Sequence, residues 1–379
     1  MKILHIDMGH PEHPVFYGGA EIRNRKIYEC LSTKGHHITI LSSKIGSNKY
    51  IRINDNLEYV FIGRLCKNTT SSKILCSMAF SFDALIWILR HYKEFNVIIE
   101  ELCPWSPSFA FILESKKPVA LQIQGYAPYS ILAGKSGRFI GSILYMSSIV
   151  YPKFFKRWIV LSDVLNDRYN ILGKVVSQGV DDYLLNGSKQ GIGGYVGFMG
   201  RFDLKQKGID LLLDAIEVLK KDGMVIKFAL AGDGHDKAEI IRMIKDKDIH
   251  DLVDLVGWVD GQDKLRFLNN ARLMVFPSRY EGQSIAVMEA AACYKPVIVS
   301  SIPELSYAVA NGFGIRFDDF DKHSLANCIK SLYFDCARIL EMGDRARSFA
   351  VNHSWRSIAE KYEEILRKWT AAEKENICL

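Results

Sequence analysis

The sequence predicts an α/β protein of two doubly wound, Rossmann-like domains facing a cleft, and three observations carry that expectation. Short apolar runs of buried-strand type alternate with longer runs of helical period along almost the whole chain. The alternation breaks once, over about 176–194, where Ser-Gln-Gly-Val-Asp-Asp is followed by Asn-Gly-Ser-Lys-Gln-Gly-Ile-Gly-Gly. The length of 379 residues, 48% of them apolar, suits two ordinary cores. The expected domains are 1–178 and 179–354, with an amphipathic helix over 355–379 packing back across the hinge.

In the first half, strands are expected at 2–7, 36–43, 57–63, 96–101, 119–124 and 157–162, and helices at 20–33, 73–91 and about 138–151. In the second half, strands at 195–200, 227–232, 253–257, 272–276, 296–300 and 314–317 alternate with helices at 207–221, 236–247, 262–270 and 284–294. Helices from Lys322, Arg338 and Trp355 close the chain. Sheets of this kind bind ligands beyond the carboxyl ends of their strands, so the loops that follow each strand hold the candidate chemistry.

The most informative loop runs from Ser278 to Glu289, where a strand ends, a glycine-bearing turn follows and a helix begins. Glu281 lies in the turn and Glu289 just over one turn inside the helix, leaning back towards its N-terminus and so towards the space that Glu281 faces. The free N-H groups of Gln283, Ser284 and Ile285 and the positive end of the helix dipole point to the same space. Carboxylates that accept from paired hydroxyls, beside N-H groups that donate to oxygen, suit a polyol or a phosphate; a solvated turn glutamate and an ordinary first-turn glutamate would read the same way. Gly200-Arg201 with Lys207-Gly208 sets a forked cation and a point charge between a strand and a helix, which suit a diphosphate; a solvated basic loop would read the same way. Gly232 and Gly234, in Leu230-Ala-Gly-Asp-Gly-His235, are expected to leave room for a nucleotide, and Val256-Gly-Trp-Val-Asp260 to present backbone to a base. In the first half, Tyr17-Gly-Gly-Ala-Glu21 places Gly18 and Gly19 directly before a helix, where a phosphate can come close to the backbone.

Charge is uneven: residues 1–180 carry 22 Lys/Arg against 13 Asp/Glu, and the remainder 27 against 30. A basic first half suits an anionic surface, an acidic acceptor or nucleic acid. The stretch Lys135 to Trp158 brackets an apolar, aromatic segment with five basic residues and no acidic one, a pattern that can lie in a membrane interface or be a buried helix with basic ends. Eight cysteines without C-x-x-C spacing suit a reduced cytosol, and Met-Lys-Ile-Leu-His-Ile-Asp opens the chain as a strand rather than a signal peptide. The apolar tracts at 75–89 and 139–150 fall short of the roughly 20 residues of a spanning helix. A cytoplasmic protein is expected, at most resting on the inner face of a membrane. The acidic group Asp318, Asp319 and Asp321 reads as a surface loop, and His10 and His13 as exposed.

Taken in order, Tyr17-Gly-Gly-Ala-Glu21, Gly179-Val-Asp181, Gly200-Arg201 with Lys207-Gly208, Ala231-Gly-Asp-Gly234, Val256-Gly-Trp-Val259, Phe276-Pro-Ser278, the Glu281/Glu289 pair and Trp355 resemble the retaining glycosyltransferases of family GT4, with the GT-B fold. The resemblance spans nearly the whole chain. It implies that Glu281 and the backbone of Gly282, Gln283, Ser284 and Ile285 hold the donor's hexose, and that Glu289 holds the ribose. It further implies Arg201, Lys207 and the Gly19 amide on the diphosphate, Gly232 beside the nucleotide and Val259 on the base. The partners implied are a nucleotide diphosphate sugar and a glycan, lipid-linked or small-molecule acceptor. No nucleic acid, bound cofactor or metal is expected. One residue departs from the pattern: Gln124 stands where members commonly carry His, and glutamine cannot shuttle a proton at neutral pH. Gln124 and Glu101 are thus expected to position the acceptor or sugar. Two rival readings remain, a nucleotide-sugar epimerase or hydrolase of the same fold and a non-catalytic nucleotide-sugar binding protein.

Overall fold

The computed structural model describes the chain outside residues 11–17, 45, 67–69, 187–191, 319 and 378–379. Tyr17, His13, Asp319, Cys378 and part of the expected linker therefore lie outside the described residues. The chain divides into two compact units, Met1–Ser177 with Trp355–Leu379, and Gln178–Ser354.

The first unit is an eight-stranded sheet built from β1 (Lys2–Ile6), β2 (His37–Ser43), β3 (Tyr50–Asn54), β4 (Leu57–Ile62), β5 (Val97–Glu101), β6 (Val119–Ile123), β7 (Trp158–Val160) and β8 (Lys174–Val175). Its spatial order is β3-β4-β2-β1-β5-β6-β7-β8. All pairings are parallel except β3 with β4, an antiparallel edge that the sequence reading missed because β3 alternates exposed and half-buried residues and adds little core. The helices are α1 (Gly19–Thr33), α2 (Thr70–His91), α3 (Tyr129–Ser136), α4 (Arg138–Val150) and α5 (Asp163–Tyr169). Neither α3 nor α5 was expected; each is at most two turns long, too short to show a clear helical period. Alternate strand residues enter separate cores: Ile98 joins Cys76, Phe80, Ala84 and Ile88 of α2, whereas Val97 and Ile99 join Ile27, Tyr28 and Leu31 of α1.

The second unit is a six-stranded parallel sheet of β9 (Tyr195–Met199), β10 (Phe228–Ala231), β11 (Val253–Gly257), β12 (Ala271–Phe276), β13 (Val297–Val299) and β14 (Gly314–Arg316), in the order β11-β10-β9-β12-β13-β14. Its helices are α6 (Asp182–Leu185), α7 (Leu204–Lys207), α8 (Ile209–Lys221), α9 (Lys237–Asp246), α10 (Gly261–Asn270), α11 (Ile285–Ala292), α12 (Ser306–Ala310), α13 (Lys322–Tyr333) and α14 (Cys336–Val351). The helix expected over 207–221 begins two residues later as α8, preceded by the short α7, because Gly208 takes φ +64° between them and a Cβ there would lie 2.1 Å from the Pro277 carbonyl. The last helix, α15 (Trp355–Ile377), belongs to the first unit, where Trp355, Ile358, Ala359, Tyr362 and Leu366 join the α1 core.

Two further expectations change. α2 spans 22 residues and is long and apolar enough, by length and composition, to cross a membrane, although the sequence estimate made its tract too short. One of its faces is nevertheless committed to the sheet core. His10 is buried rather than exposed, its ring 4.4 Å from that of Tyr59 and 5.5 Å from that of Phe61. The thiols of Cys76 and Cys293 are buried and Cys336 is exposed, all unpaired.

Candidate active site

In each sheet the strand order reverses once, and the candidate residues gather at those two points. In the second unit the reversal lies between β9 and β12. Arg201 and Lys207 follow β9, and Glu281 follows β12. Lys207 Nζ donates to Glu281 Oε1 at 2.6 Å, and Ser278 Oγ donates to the same oxygen at 2.8 Å. The carboxylate is buried, and the ammonium is about one-fifth exposed. Arg201 is exposed and makes no side-chain hydrogen bond or ion pair among the described residues.

This geometry is stapled from below. Arg279 forks onto Asp210, Nη1 to Oδ1 at 2.8 Å and Nη2 to Oδ2 at 2.7 Å, and also reaches the Leu204 carbonyl at 2.6 Å. The Asp203 carboxylate caps α7 by accepting from the Gln206 amide at 2.9 Å. Gly208 lets the corner between α7 and α8 meet Pro277, which brings Lys207 opposite Glu281. Gly232 and Gly234 serve the same closeness, because Cβ atoms there would lie 2.0 Å from the Gly200 carbonyl and 2.4 Å from the Phe202 carbonyl. The Cβ positions of both glycines are thus taken by neighbouring backbone.

Ser284 precedes α11 without a side-chain capping bond. Among the described residues, the amides of Ile285, Ala286 and Val287 find no acceptor, so the helix presents free N-H groups beside Glu281. Gln283 is not free to face a ligand with its carbonyl, since Oε1 accepts from the Gln178 amide at 2.7 Å. Glu289 does not share the contacts of Glu281: its Oε1 accepts from Lys264 Nζ of α10 at 2.8 Å. Burial pushes the Glu289 carboxyl upward, and Lys264 opposes that shift. Lys264 was missed because an isolated lysine in α10 carries no sequence signal of its partner. Val259 is buried, with its main chain making no hydrogen bond among the described residues.

In the first unit the reversal lies between β1 and β5, and a buried polar cluster sits there. Asn24 Nδ2 lies 2.9 Å from Asp7 Oδ2, 3.1 Å from His5 Nε2 and 3.3 Å from Glu101 Oε2. Gln122 and Gln124 both donate to Glu101 Oε2, at 2.8 and 2.9 Å, and to Asn24 Oδ1, at 2.7 and 2.9 Å. Tyr362 donates to Gln122 Oε1 at 2.9 Å and is linked through Tyr28 to His5 Nδ1. Burial pushes Glu101 up to about 7, raises Asp7 and holds His5 down to about 3. Gln124 Oε1 has no partner among the described residues. Gly19 is exposed in the first turn of α1.

His5, Asp7 and Glu101 bring ligating atoms within 4.8 Å of one another, as do Asp203, His235 and Asp236. In the first group the amides of Asn24, Gln122 and Gln124 are directed at the same oxygens. In the second, Asp203 caps α7 and Asp236 Oδ2 accepts from the Leu204 amide at 2.8 Å, so both carboxylates have structural work. Asp321 caps α13 through the His323 and Ser324 amides, and Asp318 pairs with Arg316 at 3.4 Å.

The chain matches the family described as glycosyl transferases group 1 over residues 193–335, within the second unit. Its fold is that of the GT-B enzymes over the full length. The chain is 21% identical to sucrose-phosphate synthase of Thermosynechococcus elongatus, with a TM-score of 0.82 over 98% of this chain and 100% of that one. Against an Anabaena protein solved with UDP and glucose the TM-score is 0.69 at 17% identity, over 97% and 99% of the two chains. In sequence, it is 31% identical over 178 residues to a poly(ribitol-phosphate) α-N-acetylglucosaminyltransferase of Staphylococcus aureus, covering 46% of this chain and 34% of that protein. It is 33% identical over 110 residues to an amylovoran biosynthesis glycosyltransferase of Erwinia amylovora, 27% of each chain. The match thus spans about a third of the length of these curated relatives.

Proposed function

We propose that the chain moves a hexose from a nucleotide diphosphate sugar to an acceptor hydroxyl, with retention of anomeric configuration and without a metal ion, in the synthesis of a surface glycan or glycolipid. The observation that carries this reading is the Lys207–Glu281 pair at 2.6 Å, set at the strand-order reversal of the second sheet and followed by a helix with free N-terminal amides. Glu281 would accept from the hexose hydroxyls, with Gly282, Gln283, Ser284 and Ile285 lining the sugar. Arg201 and Lys207 would stabilise charge growing on the departing diphosphate. The bond from the anomeric carbon to the phosphate oxygen breaks as the bond to the acceptor oxygen forms, and the acceptor proton passes to the phosphate oxygen. Glu289 would take the ribose diol and Val259 the base. Gln124 would serve the acceptor or sugar through its unpartnered Oε1.

The named activities of the Staphylococcus and Erwinia relatives support the surface-glycan direction. The test is transfer from UDP-, GDP- and ADP-sugars to an acceptor pool, with the product's anomeric configuration read by NMR. An inverted product, loss of activity in EDTA or a trapped glycosylated peptide would overturn the mechanism. Glu101, with a carboxyl pushed up to about 7, favours a second reading in which a neutral acid assists donor hydrolysis or epimerisation. Release or isomerisation of donor sugar at full rate without acceptor would select that reading.

A further inference from the structure

We propose that the outer faces of α2 and α4 in the first unit dock on an anionic lipid surface. α4 buries only Gly141, Leu144 and Ser148. The close fit on one side comes from Gly141, where a Cβ would lie 2.5 Å from the Ala133 Cα of α3. The other side presents Phe139 (79% exposed), Ile143 (54%), Met146 (56%) and Val150 (40%), spaced by three and four residues, with Phe154 (55%) beyond them. The rings continue the patch: Phe154 stacks on Phe111 at 5.1 Å, and the exposed Phe109 lies 6.0 Å from Tyr151. α2 repeats the pattern, with Cys76, Phe80, Ala84 and Ile88 inward and Leu75, Met78, Phe82 and Leu89 outward. Both helices lie on the sheet face opposite to α1 and α15, because α2 and Tyr151 share one core and α1 and α15 the other.

A free protein rarely leaves this many large apolar side chains uncovered on one side. Charge selects what covers them. Between Glu114 and Asp163 there are 48 residues with seven Lys or Arg and no Asp or Glu. Of these, Lys116, Arg138, Lys153 and Lys156 are exposed, and Glu114 itself is held by Arg157 at 3.0 Å. A second copy of the chain would bring the same basic rim against itself. A lipid surface with anionic headgroups neutralises the rim while its acyl boundary accepts the aromatic and aliphatic side chains. This inference stands apart from the donor chemistry, because none of its residues belongs to the candidate active site.

The full chain is mixed with vesicles of phosphatidylcholine alone or of phosphatidylcholine with phosphatidylglycerol and floated on a density gradient. Flotation is expected with the anionic vesicles at low salt, weakening as salt rises, and absent with phosphatidylcholine alone. Lys153→Glu with Lys156→Glu should weaken partitioning by about 30-fold or more, from two lost basic contacts. Phe139→Ser with Phe154→Ser should abolish flotation; the lysine pair should keep the wild-type thermal midpoint because both side chains are exposed, and the aromatic pair should stay folded, losing only the stacking of Phe154 on Phe111. No flotation of the wild type on anionic vesicles overturns the proposal. So does equal flotation of the aromatic variant, or a concentration-dependent dimer that the aromatic variant loses, which would assign the face to a second copy.

Discussion

Removing the Glu281 carboxylate leaves the Lys207 ammonium without its counter-charge and the Ser278 hydroxyl without its acceptor. Glu281→Ala is therefore expected to lower sugar transfer by about 100-fold or more, of the order lost with one preorganised polar group in an active site. Turnover at saturating donor checks it, and a rate near wild type would remove Glu281 from the reaction. Arg201 has no partner to lose, so Arg201→Ala should leave the thermal midpoint unchanged and weaken nucleoside diphosphate binding by about tenfold, the worth of one charge-assisted bond. Calorimetric titration decides this, and an unchanged Kd excludes the residue. In the first unit the pH response follows from burial. Glu101 is pushed from 4.5 up to about 7, so its contribution to stability is intact below 4.5 and is lost as pH rises through 7. His5 is pushed from 6.5 down to about 3, so its contribution is intact above 6.5 and is lost as pH falls towards 3. The two slopes oppose each other across the overlap. Glu101→Gln removes one of them, and the variant should gain stability relative to wild type as pH rises, on the order of 3 kcal/mol by pH 8. Denaturation midpoints from pH 5 to 8 that stay parallel would show that Glu101 ionises normally.

The α7–α8 corner and the returning helix are the elements whose loss should reach furthest. Gly208→Ala forces an alanine into φ +64° and its Cβ against the Pro277 carbonyl. A cost of roughly 2 kcal/mol or more is expected, together with weaker donor binding, because the corner sets Lys207 opposite Glu281. α15 contributes Tyr362 to the polar cluster and five side chains to the α1 core, although more than 170 residues separate it from the rest of its unit. Truncation after Ser354 should therefore leave the first unit unfolded, as read by loss of its protection from proteolysis. Tyr362→Phe, which strands the buried Gln122 Oε1, should cost only about 1–3 kcal/mol.

At the scale of the molecule, Gln178–Ser354 has its own sheet and its own two cores. Expressed alone, it is expected to fold and to bind a nucleoside diphosphate with an affinity close to that of the full chain, because Arg201, Lys207, Glu281 and Glu289 all belong to it. A folded fragment that binds nothing would move the donor site out of this unit. The exposed basic face of the first unit belongs to this scale too, since it reads as an amphipathic helix in isolation and becomes a surface only once α2 and α4 are known to share one side of the sheet.

Much of this protein was legible in its residues because the signals are local along the chain. Strand and helix period, the glycine turns after β9, β10 and β12, and the Glu281/Glu289 spacing each need only a few neighbouring residues to be read. The two-unit α/β architecture and the loops that carry the candidate site follow from them. What only the tertiary structure decided is who meets whom. Lys207 and Glu281 are 74 residues apart, and Lys264 and Glu289 are 25 apart, so each pairing depends on which strands lie side by side and on what Gly208 and Arg279 hold together. The antiparallel β3 edge, the burial of His10 and the uncovered face of α4 have the same origin. A helical period shows that a side is apolar, but only packing decides whether that side meets the core or is left to something outside the chain.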